Sequence, residues 1–364
     1  MIVHVLGRMA AGGNERLCLE LLRHAPAGVS QALITIDPTP HGPLESLFQA
    51  VPGLQFHHEP YSPDARARFV LGLARRLRAL GPTGVITYPF GLHLGVCLAS
   101  KAVPGCRFLC HVGNPPPPSG PRREMFRRIV RASRWLGAPL WSCSVTVHER
   151  FVALGTRMPV DSRPLPNGVN IERLRISAER GRARRAERGP VIAMTARLDE
   201  IKDHDTLLAA FATVVRARPD AKLWLIGDGE RRAALERYAT RLGLASSVSF
   251  LGVRQDVGEL LGQIDVFVFA TTQAEGFGIA LAEAMAVGLP IVASDVPACR
   301  EVLGGGKAGD LVPPRAPDDM AGAILSLLAD RERAHRLGIA AEERARAEYD
   351  VGLCAERYYQ YLGA

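Results

Sequence analysis

The stretch from Asp265 to Pro290 reads DVFVFATTQAEGFGIALAEAMAVGLP. It opens with an apolar run of strand length and closes with Gly-Leu-Pro, which is a helix stop signal. The order is therefore strand, loop and helix. A helix that begins near Gly278 or Ile279 directs free backbone N–H groups and a partial positive charge at its entrance, which favours phosphate. Glu275 lies on the loop and Glu283 about one turn inside the helix, so we expect them to have different roles.

The two glutamates and the glycines around Phe277 resemble the signature of the retaining glycosyltransferases of family four. The resemblance implies the GT-B fold, in which two Rossmann-like domains face each other across a cleft. It also implies that Glu275 contacts hydroxyls of the donor sugar, that Glu283 binds the ribose of the nucleotide, and that Phe277, Gly278 and Ile279 line the donor site. Considered without the resemblance, the pair could be a solvated loop charge and an ordinary exposed helix residue.

The chain has 364 residues, 47% of them apolar, and this length predicts two domains. No apolar run has the roughly 18 residues of a membrane span, and residues 1–6 are typical of a first strand, so we expect a cytoplasmic protein. The seven cysteines are scattered without a CxxC pair, which favours reduced, buried thiols over a zinc site. The net charge of +8 suits an anionic partner, but the arginines are spread along the chain and do not favour nucleic acid.

Apolar runs of strand length alternate with helical patterns in both halves of the chain, which indicates α/β domains with doubly wound parallel sheets. We expect a first, acceptor-side domain over residues 1–170, a charged, partly helical linker over 171–189 and a second, nucleotide-sugar-binding domain over 190–346. The resemblance implies that residues 347–364 form a helix that crosses back to the first domain. Ligands bind at the carboxyl ends of the strands in such sheets, so a cleft between the domains is the expected active site. The strands are expected at 2–6, 31–36, 84–88, 106–110, 141–145, 164–169, 190–195, 221–226, 247–251, 265–270, 290–294 and 310–312.

Two cations follow the first strand of the second domain, in the segment Thr195-Ala196-Arg197-Leu198 and at Lys202. The family has Gly-Arg-Leu here and a lysine before a Gly-His pair, and in this chain Ala196 and Asp203 replace the two glycines. The resemblance implies that Arg197 and Lys202 neutralise a leaving diphosphate. The alternative is that both are ordinary surface charges.

The segment Asp203-His204-Asp205 is similar to the metal-binding Asp-x-Asp of a different class of glycosyltransferases. It precedes an apolar helical pattern, so we expect Asp203 or Asp205 to be the helix N-cap. We therefore expect no metal ion and no other cofactor.

Several further residues match the family. The pattern Gly12-Gly13-x-Glu15-Arg16 makes Gly13 a candidate for contact with the donor phosphate or the acceptor. The resemblance implies that His111, which follows a strand, contacts the donor sugar, although a lone histidine at a strand end is commonly structural. The strand-end turns that the resemblance places near the nucleotide contain Gly227, Asp228, Gly252 and Val253.

Residues 121–135 combine six arginines with Phe126, Ile129, Val130 and Trp135. Such a basic amphipathic helix can cover the core of the first domain and leave a solvated face. The alternative is peripheral contact with an anionic membrane, at the inner face of the membrane if the acceptor is a lipid.

The resemblance covers nearly the whole chain and implies a retaining transferase of a hexose-type sugar from a nucleotide-sugar donor to a hydroxyl acceptor. A uridine donor follows from family frequency alone, and no protein nucleophile is assigned. The alternatives are a nucleotide-sugar epimerase of the same fold and a non-catalytic sugar-nucleotide-binding module. We find no acid and base pair suited to an epimerase, and Arg197, Lys202 and Glu275 argue against a non-catalytic module.

Overall fold

The computed structural model describes residues 1–10, 12–185 and 189–363 of the chain. They form two compact units. The first contains Met1–Gly168 together with Val351–Ala364, and the second contains Val169–Asp350. Each unit has a parallel sheet with helices between its strands, as the alternation of apolar runs predicts.

In the first unit, the sheet has the strand order β3-β2-β1-β4-β5-β6-β7 in the described residues. Its central strands are buried on both faces, which explains their continuous apolar runs. The strands are β1 Ile2–Leu6, β2 Gln31–Thr35, β3 Gln55–His58, β4 Gly84–Thr87, β5 Arg107–Val112, β6 Leu140–Ser142 and β7 Arg163–Pro164. The helices are α1 Gly13–Arg23, α2 Glu45–Gln49, α3 Arg66–Leu80, α4 His93–Ser100, α5 Pro121–Leu136 and α6 Val145–Val152, with a 3-10 turn at Pro63–Ala65.

In the second unit, the sheet has the order β10-β9-β8-β11-β12-β13 in the described residues. The chain winds outward from β8 in one direction and then returns to the other side of β8 with β11, which is the doubly wound topology. The strands are β8 Val191–Thr195, β9 Lys222–Ile226, β10 Val248–Gly252, β11 Val266–Phe269, β12 Ile291–Ser294 and β13 Asp310–Val312. The helices are α7 Ile171–Ala183, α8 His204–Ala217, α9 Arg232–Arg241, α10 Val257–Leu261, α11 Ile279–Ala286, α12 Pro297–Val302, α13 Pro317–Ala329 and α14 Arg331–Glu348.

The last helix, α15 (Val351–Leu362), belongs to the first unit. Its aromatic side chains Tyr358 and Tyr359 are buried in the hydrophobic core of that unit. The hydroxyl of Tyr359 lies 2.8 Å from the carbonyl oxygen of Leu21 and 2.8 Å from the side-chain oxygen of Gln31. These contacts fix α15 to α1 and β2.

The segment predicted as a linker differs in the structure. Residues 171–183 form α7, and Ile171, Leu174 and Ala178 are buried within the second unit. A Cβ at Gly181 would collide with the backbone of Glu259 on α10, so a glycine is needed for the close approach of the two helices. Small residues rather than large apolar ones form this contact, which is why composition failed to reveal it. Residues 186–188 of the predicted linker lie outside the described residues.

Candidate functional site

The candidate site lies where the second sheet reverses its strand order. β8 is paired with β9 on one side and with β11 on the other, and the three strands are parallel. The loops after β8 and β11 therefore leave the same edge of the sheet side by side. A short antiparallel bridge between Lys202 and Thr271 joins these two loops. Ligands of doubly wound sheets bind at such a reversal.

An ion pair connects the two loops across this reversal. The ammonium nitrogen Nζ of Lys202 donates to Oε2 of Glu275, and the side chains are only 15% and 9% exposed. The same nitrogen lies 4.6 Å from the centre of the Phe269 ring, at the end of β11. A cation over an aromatic face is attracted to it, so Lys202 is held by both a carboxylate and a ring.

Glu275 is surrounded by hydrogen-bond donors. Its Oε1 accepts the backbone N–H groups of Gly276 at 3.1 Å and Phe277 at 3.4 Å, and the hydroxyl of Thr271 lies 3.2 Å from Oε2. Burial by itself would raise the pKa of Glu275, but the charge of Lys202 and these hydrogen bonds hold the pKa below its usual value. The carboxylate is therefore charged at neutral pH.

Arg197 lies in the loop just after β8, and its side chain is 64% exposed. Its Nε donates to Oδ2 of Asp199 at 2.5 Å. Sequence reasoning did not include Asp199, because no motif identifies it and its role depends on the turn that it stabilises. Arg197 and Lys202 thus follow the same strand and are both paired with carboxylates.

The Asp-x-Asp segment is an N-cap, as predicted. The side chain of Asp203 accepts a hydrogen bond from the backbone N–H of Thr206 at 3.3 Å, and Asp205 instead lies 2.6 Å from Arg231. Within the described parts of the chain, no group of three or more His, Cys, Asp or Glu side chains is placed to hold a metal ion. Independence from metal remains a prediction.

The entrance of α11 requires a glycine. Gly278 has φ +87°, and an added Cβ would lie 3.0 Å from the Phe269 ring. Ile279 begins the helix, while Glu283 is buried within it. Phe277 is only 3% exposed and packs edge-on against Tyr349, with ring centres 5.3 Å apart. Its side chain is therefore part of the core, and only its backbone is placed to line a site.

The remaining turns in this unit bring the ends of β8, β9 and β10 together. Gly227 has φ +137° and donates its N–H to the carbonyl oxygen of Gly252 at 2.8 Å. A Cβ at Gly227 would collide with the carbonyl oxygen of Ala196. The carboxylate of Asp228 accepts from the N–H of Gly229 at 2.7 Å, and Val253 is partly exposed beyond the turn. These residues shape the edge next to Arg197 chiefly through their backbone.

In the first unit, the two predicted site residues are placed differently from each other. Gly13 begins α1 just after the central strand β1. His111 lies within β5 and is completely buried, with Nδ1 2.9 Å from the hydroxyl of Tyr358. Burial lowers the pKa of His111 to about 3, so its ring is neutral. Tyr358 and the core enclose the ring, and the contact of His111 with a donor sugar stays a prediction.

Part of the second unit matches a known protein family. Residues 176–344 match the model of the family described as glycosyl transferases group 1. Within the second unit, this chain is therefore similar to the group 1 glycosyltransferases. Arg197, Lys202, Glu275 and Glu283 all lie inside the matched residues.

Relatives of known description match about half of this chain. The chain is 34% identical over 203 residues to a phosphatidyl-myo-inositol mannosyltransferase of Mycobacterium tuberculosis, covering 54% of this chain and 52% of the relative. It is 32% identical over 212 residues to a GDP-mannose-dependent monoacylated alpha-(1-6)-phosphatidylinositol monomannoside mannosyltransferase of Corynebacterium glutamicum, covering 54% and 55%. The chain thus spans about half the length of these curated relatives.

Solved structures resemble the whole chain. The structure of Anabaena HepE in complex with UDP and glucose has a TM-score of 0.86 at 19% identity and covers 100% of this chain and 99% of that one. The structure of WaaG, a glycosyltransferase involved in lipopolysaccharide biosynthesis, has a TM-score of 0.79 at 18% identity and covers 100% of both chains. The predicted GT-B class, with two Rossmann-like domains, is confirmed.

Proposed function

We propose that the protein is a glycosyltransferase that takes a sugar from a nucleoside diphosphate donor held by its second unit. The observation that carries the proposal is the ion pair of Lys202 and Glu275 at the reversal point of the second sheet, inside the matched domain. A cation, a carboxylate and a helix entrance converge on one edge of the sheet, and each suits one part of a sugar nucleotide.

The cations supply the charge that a leaving diphosphate needs. Arg197 has five N–H donors, and its exposed guanidinium keeps several of them for a ligand beside Asp199. Lys202 and the N–H groups at the start of α11 add further donors. Preorganised donors stabilise charge as it develops on the departing diphosphate, and a site built this way needs no divalent cation. Metal-independent transfer is therefore part of the proposal.

The remaining roles are carried over from the family. Glu275 would accept from hydroxyls of the donor sugar, and Glu283 would bind the ribose. In the structure the oxygens of Glu275 already face Lys202, Thr271 and two backbone N–H groups. A carboxylate accepts about four hydrogen bonds, so we expect a sugar hydroxyl to replace one of these donors. Transfer of a hexose with retention of configuration belongs to the proposal, and NMR of the anomeric proton of the product tests it.

Two nucleotide bases are candidates for the donor. A uridine nucleotide is the expectation from family frequency, while GDP-mannose is the second candidate because the 32% identical C. glutamicum relative is described as GDP-mannose-dependent. A thermal-shift screen of UDP, GDP, ADP and their sugars separates them. A ligand at 100 times its dissociation constant stabilises by about 2.7 kcal/mol. If none of the nucleotides stabilises the protein, the proposal fails.

A reaction with the same donor distinguishes a transferase from an epimerase and from a binding module. With a hydroxyl acceptor present, a transferase releases nucleoside diphosphate at a rate that depends on the acceptor. An epimerase converts the donor into its epimer without an acceptor and without net release of nucleoside diphosphate, and a binding module leaves the donor unchanged. Since relatives include phosphatidylinositol mannosyltransferases, we propose lipids with exposed hydroxyls as the first acceptors to assay.

Helix α5 is proposed as a contact with an anionic bilayer on the cytoplasmic side. Trp135 is 85% exposed and Met125 is 48% exposed, and Arg128 and Arg131 share their face of the helix. Exposed aromatic and basic side chains on one face are typical of interfacial helices. Arg123 donates to a carbonyl oxygen of the same unit, so it anchors the helix rather than facing a membrane. The structure describes no helix that is both long and apolar enough to cross a membrane.

Vesicle flotation tests this contact. Vesicles with about a third phosphatidylglycerol should bind the protein, and binding should weaken with salt because charges are screened within about 8 Å at physiological ionic strength. Gln at Arg128, Arg131 and Arg134 should reduce flotation. The matched control is Gln at Arg331, Arg336 and Arg346, exposed arginines of α14, which makes the same charge change elsewhere. If both triple variants float equally, the arginines of α5 do not contact the membrane and its basic face is simply solvated.

A further inference from the structure

Asp199 is a buried carboxylate that contacts the guanidinium of Arg197 and the backbone of Lys202. The residue is 8% exposed. Its Oδ2 lies 2.5 Å from both Nε and a terminal nitrogen of Arg197. Its Oδ1 accepts the backbone N–H groups of Ile201 at 3.0 Å and Lys202 at 3.3 Å. One carboxylate therefore fixes the guanidinium of Arg197 and the backbone from which Lys202 extends.

Because the side chain of Arg197 is largely exposed, its contact with Asp199 determines how well it is ordered. An arginine that is 64% exposed samples many rotamers unless a partner holds it. Asp199 engages two of its five N–H donors and leaves three, in a fixed plane, for a ligand. Two parallel N–H groups in a fixed plane are what an arginine uses to bind phosphate oxygens.

We infer that Asp199 is a positioning residue that orders Arg197, and with it the loop of Lys202, for a nucleoside diphosphate. The inference rests on the proposed function. Asp199 does not contact the ligand in this account, because its oxygens face protein donors and its charge would repel a phosphate. It acts through Arg197.

Two effects of removing the charge of Asp199 oppose each other. An uncompensated Arg197 would attract a diphosphate more strongly, whereas a disordered Arg197 would bind it less well. The guanidinium is mostly solvated, so the charge effect is screened. Ordering one long side chain costs about 0.5–1.5 kcal/mol, which corresponds to roughly a 2- to 10-fold loss of affinity in a variant that must order it on binding. We therefore expect the disorder of Arg197 to outweigh the change in charge, so that the variant binds the diphosphate more weakly.

The experiment is a double-mutant cycle measured by calorimetry with UDP and GDP. The variants are Asp199→Asn, Arg197→Ala and the two combined. Asn keeps the oxygen that accepts from Ile201 and Lys202, so it isolates the contact with Arg197. Asp220→Asn is the matched control, because Asp220 pairs with Arg218 at the same spacing in sequence but precedes β9, at the opposite edge of the sheet. Thermal melting of each variant checks that it folds.

We expect Asp199→Asn to weaken binding of the nucleoside diphosphate about 2- to 10-fold, and to have no effect when Arg197 is already Ala. Asp220→Asn should bind like the wild type. Equal losses in both backgrounds would mean a structural role, and tighter binding by Asp199→Asn would mean that charge dominates; either result overturns the inference alone. If the wild-type protein binds neither UDP nor GDP, the proposed function fails and the inference fails with it.

Discussion

Replacing Lys202 by Met should destabilise the second unit, because it leaves the carboxylate of Glu275 buried without its cation. Met keeps an unbranched apolar chain over the Phe269 ring, so packing changes little. Removing one partner of a buried ion pair costs about 3–5 kcal/mol. Lys202 is 15% exposed and Glu275 retains three other donors, so we expect the lower limit, about 3 kcal/mol. For a unit of about 180 residues this lowers the melting midpoint by roughly 6–12 °C.

The same substitution should change how stability depends on pH. In the wild type the pKa of Glu275 is held below its usual value despite burial, so its stabilising contribution is present above about pH 4.3 and is lost as the pH falls further. In Lys202→Met, burial acts without the ammonium and raises the pKa above the unfolded value. The folded state then binds more protons than the unfolded state, and stability should rise as the pH falls from 7 to 5.

Scanning calorimetry between pH 5 and pH 8 measures both effects. Lys222→Met is the matched control, because Lys222 is exposed at the start of β9 and its ammonium donates to a carbonyl oxygen, that of Ser246, rather than to a buried carboxylate. It should stay within about 0.5 kcal/mol of the wild type. Adding Glu275→Gln to Lys202→Met should restore part of the stability by removing the buried charge. If Lys202→Met melts like the control and follows a parallel pH profile, our reading of the ion pair is wrong.

Three further predictions concern the same site. Gly278→Ala should destabilise by about 1–3 kcal/mol, since it combines a positive φ with a close contact to Phe269, whereas Gly322→Ala in α13, where an added Cβ meets nothing, should not; equal melting midpoints would contradict this. Glu283→Ala should weaken binding of free nucleoside diphosphate in calorimetry, while Glu275→Gln should spare it and lose recognition of the sugar; equal losses would refute this division of roles. Transfer activity should survive a chelator, and complete inactivation reversed by manganese or magnesium would show that a metal is needed.

The fold was predictable because most strands of both sheets are continuous apolar runs, which buried parallel strands require. The strand β3 was not predicted because it lies at the sheet edge, is mostly exposed, and has only one apolar residue, Phe56, among its four. Helix α7 was predicted as a partly helical linker and not as part of the second unit, because Ala178 and Gly181 make its contacts with α10 and small residues give no apolar signal. The hydrophobic pattern therefore identifies strands and helices that bury large apolar side chains. It does not identify strands at the sheet edge or helices that pack through small residues.

The candidate site was predictable as far as local motifs reach. Lys202 and Glu275 were singled out separately, but their contact joins residues 73 positions apart and depends on β8 and β11 being neighbours. Asp199 has no motif, and its role exists only through the turn that it stabilises. The family resemblance implied a donor contact for His111, but nothing local in the sequence indicated that Tyr358, from the last helix of the chain, packs against it. When a residue is covered by a helix that is distant in sequence, the residues around it give no indication of that contact.

The most direct test of the central claim is calorimetric titration of UDP and GDP into the wild type, Lys202→Met and Lys222→Met at a temperature where all three are folded. We predict that the wild type and Lys222→Met bind the same nucleotide equally. Lys202→Met should bind it roughly 10- to 100-fold more weakly, because a hydrogen bond from a charged group contributes about 1.5–3 kcal/mol. Equal affinity of all three proteins would place the nucleotide elsewhere and contradict a donor site at Lys202 and Glu275.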